Sequence, residues 1–358
     1  MIRKRGDRFS EKIMLQHKRS YYRRIAALAV VAMVLSPLSG SAQQSARTAE
    51  APVPVQIQSR PLEGFEVRDP GRRRFGALEF RGGLVLTSPY REFGGLSGLS
   101  VAPDGKFIAV GDKGRWLEGR IVYRDQVPVG IADAMMAPIL GPDGKPLGTR
   151  GWYDAEAIAQ DGGTLYVGIE RANRILRFEY PRQGLRARGQ PIAIPPGIGK
   201  LPHNKGLEAL AFMPKGSPLG GTLIAISERG LDAAGNIKAF LIGGPSPGEF
   251  GIKRKAGFDV SDAVSLPGGD LLLLERSFSI FSGIGIRLRR ITPAGIGPGA
   301  VVDGPEIFLA DLGYQLDNME ALAVHRDASG ATVLTMLSDD NFSPIQRTLL
   351  LQFTLVDE

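Results

Sequence analysis

The chain predicts an all-β fold, a single β-propeller, and three observations carry that expectation. A polar residue followed by small and aliphatic ones recurs five times, as Ser97-Gly98-Leu99-Ser100, Glu156-Ala157-Ile158-Ala159, Glu208-Ala209-Leu210-Ala211, Asp262-Ala263-Val264-Ser265 and Glu320-Ala321-Leu322-Ala323. The first residues are spaced by 59, 52, 54 and 58 positions, slightly longer than the period of roughly 40–50 residues usual for propeller blades. Each copy is followed by a second apolar run ending on an acid: Asp112, Glu170, Glu228, Glu275 and Asp339. Turn chemistry separates the two runs, such as Pro103-Asp104-Gly105, Asp161-Gly162-Gly163 and Pro267-Gly268-Gly269.

Hairpin arithmetic then places the acids. In an antiparallel hairpin the start of the first strand lies opposite the end of the second. Asp262 and Glu275 are centred on 268.5, the middle of Pro267-Gly268-Gly269-Asp270; Ser97 and Asp112 are centred on 104.5, and Glu320 and Asp339 on 329.5, both inside turn sequences. Each unit should therefore set two polar markers side by side on one rim. Five units around an axis would gather them into a mostly acidic funnel.

The N-terminus reads differently. Residues 1–42 hold nine of the 44 Lys/Arg and two of the 37 acids, which leaves 35 of each beyond them and a neutral remainder. The net charge of +7 therefore gives no case for nucleic acid or an anionic membrane as partner. A basic stretch ending in Arg23-Arg24, an apolar run from Ile25 to Leu35 and Gly40-Ser41-Ala42 follow the order of a signal peptide cleaved after Ala42. Met1 and Met14 are both candidate starts, and the residues around the arginine pair fit a general secretory route better than a twin-arginine one. The apolar run is short of the roughly 20 residues a membrane span needs. With no cysteine in the chain, structural disulfides and a lipid-modified cysteine are excluded. A periplasmic or secreted protein stabilised by its core and sheets is the expectation.

Residues 43–74 read as a linker and lead-in, with Arg72-Arg73-Arg74 a solvated charge run, and 75–358 as the propeller domain. Phe75–Thr87 is strand-like. The second unit shows the blade plan in Ala155–Ala159, Leu165–Glu170, Ile175–Tyr180 and Pro191–Pro195. The last unit has only three strands, Met319–His325, Thr332–Leu337 and Thr348–Leu355, so the spare strand at Phe75–Thr87 should pair with Thr348–Leu355 and close the ring. Five units are detectable; a sixth blade would need 127–150 or the segment around 53–88 to pair separately.

Acids are poor strand residues, so their recurrence at strand ends calls for a reason. Two readings stand: solvated blade ends, or a shared oxygen-rich site. Crowded carboxylates raise one another's pKa unless a cation sits among them, and Ca²⁺ or Mg²⁺ suits such oxygens. Zinc is disfavoured, since only His203 and His325 lie beyond residue 42. Lys113, Arg171, Arg229 and Arg276 directly follow four of the acids, and alternation along a strand points them to the opposite face, towards neighbouring blades. His203, just before the third unit, could act as acid or base and Lys205 could hold a phosphate, the alternative being an ordinary loop. Ser338-Asp339-Asp340-Asn341 is either a turn or the densest ligand cluster in the chain. Gly244-Pro245-Ser246-Pro247-Gly248 spells G-x-S-x-G, but Pro247 has no N–H for an oxyanion hole, so it reads as a turn.

At Gly94-Gly95-Leu96-Ser97-Gly98-Leu99, Tyr153-Asp154-Ala155-Glu156, Asn204-Lys205-Gly206-Leu207-Glu208-Ala209-Leu210, Asp317-Asn318-Met319-Glu320-Ala321-Leu322 and Leu337-Ser338-Asp339-Asp340-Asn341-Phe342 the chain resembles the phytase-like family, also called the esterase-like activity of phytase family. The resemblance covers roughly 75–357. It implies an exported bacterial β-propeller with hydrolase activity on phosphate or other esters. The acidic funnel, and not the resemblance, supplies the candidates for such an activity: Glu156, Glu208, Glu320 and His203 as catalytic residues and Lys205, Arg171, Arg229 and Arg276 as substrate contacts. Asp262, Glu170, Glu228, Glu275, Asp339 and Asp340 are the candidate ligands of Ca²⁺ or Mg²⁺. The competing class is a non-enzymatic binding or scaffold propeller of the envelope.

Overall fold

Continuous apolar runs such as Leu271-Leu272-Leu273-Leu274 demand burial on both faces of a strand, and stacked sheets satisfy that demand. The computed structural model describes residues 51–255, 257–279 and 283–356; the proposed signal peptide and its cleavage site lie outside them. Among the described residues five sheets, antiparallel but for one two-residue pairing, form five blades. The inner strands are Leu96–Val101, Ala155–Asp161, Leu207–Phe212, Asp259–Ser265 and Met319–Arg326, and they neighbour one another in that order, the last lying against the first. The fold is a five-bladed propeller, and no helix among the described residues is long and apolar enough to cross a membrane.

Blade 1 continues through Lys106–Gly111, Arg115–Arg124 and Val127–Pro138, so 127–150 supplies an outer strand and no sixth blade. Blade 2 adds Thr164–Ile169, Arg174–Glu179 and the two-residue Gln190–Pro191. Blade 3 adds Thr222–Leu231, Ile237–Gly243 and Gly248–Ile252. Blade 4 adds Leu271–Ser279, Gly283–Ile291 and Glu306–Ala310; between the last two, Val301–Val302 pairs in parallel with the edge of blade 3 and stitches the two blades together.

Blade 5 consists of Met319–Arg326, Thr332–Ser338 and Thr348–Leu355, completed by Leu78–Thr87 from the N-terminal side. That strand runs antiparallel to the last one, from Thr348 opposite Leu86 to Leu355 opposite Leu78. The ring thus closes by the expected displaced strand. Residues ahead of it are built into the sheets as well: Val53–Pro54 edges blade 1, and Gln58–Pro61 edges blade 5. Phe65, fully buried, sits among Phe75, Phe80, Phe308, Tyr314 and Phe353.

The core is five interblade layers. Leu271 and Leu273 pack towards blade 3 with Ile224, Ile226 and Ala209, whereas Leu272 and Leu274 face blade 5 with Leu322, Leu334 and Met336. Truncating any one of these leucines to alanine would cost about 2–5 kcal/mol. Near the axis the inner strands crowd. A Cβ on Gly98 would lie 3.0 Å from the Ile158 nitrogen of the next blade, so the small residues of the repeat are a packing requirement there.

Candidate functional site at the rim

Every blade carries the same irregularity near the start of its inner strand. The pairing skips one residue: Ser97 between Leu96 and Gly98, Glu156 between Ala155 and Ala157, Glu208 between Leu207 and Ala209, Ser261 between Val260 and Asp262, and Glu320 between Met319 and Ala321. A β-bulge re-aims the skipped side chain. On the second strand, the residue just past the partner of the pre-bulge position is Asp112, Glu170, Glu228, Arg276 and Asp339 in turn. Four of these have their N–H bonded to the inner-strand lead-in, to the carbonyls of Gly95, Asp154, Gly206 and Asn318 at 2.9–3.0 Å.

Blade 4 corrects the pattern read from sequence. Its bulged residue is Ser261 and its second-strand marker is Arg276; Asp262 and Glu275 each lie one position away and leave the rim. Asp262 is buried, with Oδ1 accepting the N–H of Ala263 and Oδ2 that of Leu322 in blade 5, both at 2.7 Å. It is a clamp between blades. Glu275 is fully buried inside blade 4, accepting from Arg287 at 2.6 Å and from Arg289 at 2.7 and 2.5 Å. Neither carboxylate has oxygens to offer a metal at the rim.

The remaining markers converge. Glu170, Glu208 and Glu228 are buried and bring one oxygen each within 4.8 Å of one another. Arg276 reaches Glu320 at 3.1 Å, Glu228 at 3.8 Å and Glu208 at 4.0 Å, and donates to Asn318 Oδ1 at 2.7 Å. Asn318 in turn donates to Glu320 Oε1 at 2.9 Å. Arg276 Nε and Glu320 Oε2 are buried without a partner. Ser97 donates to Asp112 at 2.8 Å.

Burial and mutual repulsion raise the proton affinity of Glu156, Glu170, Glu208, Glu320 and Asp339. Burial raises Glu170 to about 7 against the opposing hydrogen bond from the Gly206 N–H. Glu320 also rises to about 7 through burial, with the Arg276 charge and the Asn318 amide pulling the other way. Asp339 is pushed up to about 8 by burial and by the charge of Asp112. Glu156 and Glu208 lie well above the carboxylate range, first through burial, then through the charges of Asp112 and Glu320 on Glu156 and of Glu156, Glu320 and Glu228 on Glu208. Arg276 among Glu208, Glu228 and Glu320, with Lys205 beside Glu228, does not balance the seven carboxyl groups Asp112, Glu156, Glu170, Glu208, Glu228, Glu320 and Asp339.

The other candidates stand at the margin. His203 is exposed, its Nδ1 3.4 Å from the Arg171 carbonyl. Lys205 Nζ lies 3.3 Å from both oxygens of Glu228. Arg171 pairs with Asp154 of its own blade at 2.8 Å, against the expected bridge to a neighbour, while Arg229 does cross to Asp259 of blade 4. Asp340 is taken up by the N–H groups of Gly95 and Phe342 and by the Thr348 hydroxyl, each at 3.0 Å, and ties blade 5 to the entry of blade 1. Ser261 and Asn318 were not singled out as site residues; only the bulge register marks the first, and its place beside Glu320 the second.

A cavity of about 820 Å³ opens beside the cluster and is lined at its base by Glu228, Arg276, Asn318 and Glu320. A second, of about 550 Å³, lies at the opposite ends of the inner strands, among Ser100, Gln160, Phe212 and Ser265.

The family model described as phytase-like, esterase-like activity of phytase, matches residues 91–342. No curated protein sequence matches the chain. Among solved structures, the chain is similar to an endo-arabinase from Bacteroides thetaiotaomicron, with 13% identity, a TM-score of 0.43, and 74% of this chain and 95% of that one covered. An α-L-arabinofuranosidase from Podospora anserina shows 11% identity and a TM-score of 0.42 over 84% and 97% of the two chains. A glutaminyl cyclase from Myxococcus xanthus shows 14% identity and a TM-score of 0.36 over 74% and 92%.

Proposed function

We propose, from the premise that the chain belongs to the phytase-like family, that it is an exported hydrolase acting on phosphate or other small-molecule esters at the acidic rim. The observation that supports this reading is a rim of buried carboxyl groups, of which Glu208, Glu228 and Glu320 reach one guanidinium and Glu170, Glu208 and Glu228 are close enough to share an ion. Glu170, Glu208 and Glu228 offer only hard oxygen donors in a buried setting, which fits Ca²⁺ or Mg²⁺. Zinc does not fit, since His203 is on an exposed loop and cysteine is absent. A divalent cation held there would polarise the ester oxygen and favour a nucleophilic water.

The chain's own residues supply the remainder. Glu320, with a proton affinity near neutrality and an unpartnered Oε2, is placed to take a proton from water as general base. Arg276 holds Glu320 in place and presents Nε–H to a substrate oxygen. Arg171 and Arg229, already paired with Asp154 and Asp259, shape the surrounding rim. The competing reading, a non-enzymatic envelope binding propeller, draws support from that same pairing, which leaves these two guanidinium groups engaged.

The test is turnover of a panel of phosphate and carboxylate esters by the purified protein, with Ca²⁺, with Mg²⁺ and with chelator. Cation-dependent turnover that falls about 100-fold or more in Glu320→Gln is the expected result. A cation that raises the melting temperature without any turnover would instead assign the rim to binding. Export is checked separately by mass spectrometry of the periplasmic and secreted protein, with Gln43 or a near neighbour expected at the N-terminus.

A further inference from the structure

Three large apolar side chains stand out as most exposed among the described residues: Ile345 at 89%, Phe278 at 77% and Leu312 at 63%. Single exposed hydrophobics are ordinary on a protein surface. These three line one and the same cavity, the one whose base holds Glu228, Arg276 and Glu320. They come from three separate segments. Phe278 is near the end of the second strand of blade 4, Leu312 follows Glu306–Ala310, and Ile345 lies between the last two strands of the chain. Ile284 and Leu316 line the wall between them. Gly283 makes room for the lip: a Cβ there would come 2.3 Å from Leu312 Cδ1.

The cavity therefore has two chemistries along its depth. Its volume of about 820 Å³ lies within the range of small-ligand sites, roughly 300–1,000 Å³. At the base, Arg276 Nε lacks an acceptor and Glu320 Oε2 lacks a donor, although Glu320 is only 6% exposed. A ligand head carrying an acceptor oxygen beside a hydroxyl would satisfy both, taking the Arg276 Nε–H and donating to Glu320 Oε2. At the mouth, an apolar group would remove Phe278, Leu312 and Ile345 from water. A polyanion would satisfy the base and leave the lip wet.

We propose that this cavity takes an amphipathic ester, with its oxygen-rich head against Arg276 and Glu320 and an alkyl or acyl chain against Phe278, Leu312 and Ile345. The inference rests on the reading of the rim as an ester-hydrolysing site and names the substrate class of that site.

The experiment is calorimetric titration of the purified protein, in Ca²⁺, with methyl-, butyl- and octylphosphonate below their aggregation limits. These probes carry the head and the chain but no ester bond, so binding is read without turnover. Burial of each methylene should tighten binding up to about fourfold, and octylphosphonate should bind at least tenfold tighter than butylphosphonate. Phe278→Ser combined with Ile345→Ser, both surface changes, should cut that gain to below threefold and leave methylphosphonate unaffected. Equal affinities for the butyl and octyl probes, or a gain untouched by the double variant, would overturn the proposal. So would a dimer, or co-sedimentation with lipid vesicles, that the double variant abolishes while the wild type shows no chain-length gain. Chain-length-dependent binding without turnover of any ester would refute the hydrolase reading and leave the amphiphile cavity standing. Turnover without chain-length dependence would refute the cavity assignment alone.

Discussion

Replacing Glu170 with glutamine should shift stability in opposite directions with and without a divalent cation. Its carboxyl is raised from 4.5 to about 7, chiefly by burial, against the hydrogen bond from the Gly206 N–H. The folded state then holds this proton more tightly than the unfolded chain does. Below pH 4.5 both states are protonated and the group contributes no penalty. As pH rises from about 4.5 through 7 the unfolded chain releases its proton first, and stability falls across that window. With solvent screening of this partly open group, the loss is at most about 3 kcal/mol and is complete near pH 8. Glutamine cannot ionise, and its amide oxygen can still accept from Gly206. In chelator, Glu170→Gln should match the wild type at pH 4 and exceed it by up to about 3 kcal/mol at pH 8.

With cation the order reverses. A ligand at a thousand times its Kd stabilises the wild type by about 4.1 kcal/mol, more than the advantage the variant holds in chelator. A variant missing one of the three clustered carboxylates should gain little. Urea denaturation at pH 4, 6 and 8, in chelator and in CaCl₂, reads all six conditions. A variant no more stable than the wild type at pH 8 in chelator would show that Glu170 is solvated. Equal stabilisation of both proteins by Ca²⁺ would show that Glu170, Glu208 and Glu228 are not the ligand set.

Three further outcomes follow from the same geometry. Arg276→Met removes the counter-charge of Glu208, Glu228 and Glu320 and should destabilise by about 3–5 kcal/mol at pH 8 in chelator. The loss should be smaller at pH 5, where Glu208 and Glu320 carry protons; equal losses at both pH values in denaturation curves would contradict the neutralising role. Asp262→Ala leaves the Leu322 N–H without its acceptor, so it should cost about 1–3 kcal/mol with the Ca²⁺ response of the melting temperature intact; a vanished response would return Asp262 to the ligand set. Gly98→Val forces atoms into the 2.8 Å gap to Val110 Cγ2 and the 3.0 Å gap to the Ile158 nitrogen. It should lower stability by about 1–3 kcal/mol, and a wild-type melting temperature would count against the close approach of blades 1 and 2.

The blades were legible in sequence because each hairpin carries its own turn chemistry and its own alternation. The closing pair, Leu78–Thr87 with Thr348–Leu355, was legible because the last unit lacked a strand. The lead-in was not, since Phe65 shows its place only when the rings of Phe75, Phe80 and Phe353 surround it. Blade 4 failed for a sharper reason. A hairpin midpoint cannot separate one symmetric pair from the next: Ser261 with Arg276 is centred on 268.5, as is Asp262 with Glu275. A one-residue slip reverses the face on which every side chain lies. It sends Glu275 into the blade with Arg287 and Arg289 and brings Arg276 to the rim. The bulge decides the register, and a bulge has no spelling of its own here, since Ser261 and Asp262 are both polar.

That slip is also what gives the rim a direction. Five equivalent bulges would by themselves produce a ring of like residues with no preferred side. Blades 2 and 3 supply Glu170, Glu208 and Glu228, the three whose oxygens lie within reach of one ion. Blade 4 breaks the repeat with Ser261 and Arg276, and its guanidinium meets Glu320 of blade 5. Glu228 belongs to both halves, since it lies in the carboxylate trio and 3.8 Å from Arg276. The cavity opens on the guanidinium side, where Phe278, Leu312 and Ile345 form its lip. A ligand entering there meets Arg276 and Glu320 before the trio, with Glu228 at the boundary between them. The repeat explains why so much charge collects at one end of the molecule, and its single cationic departure sets the side from which that charge can be used.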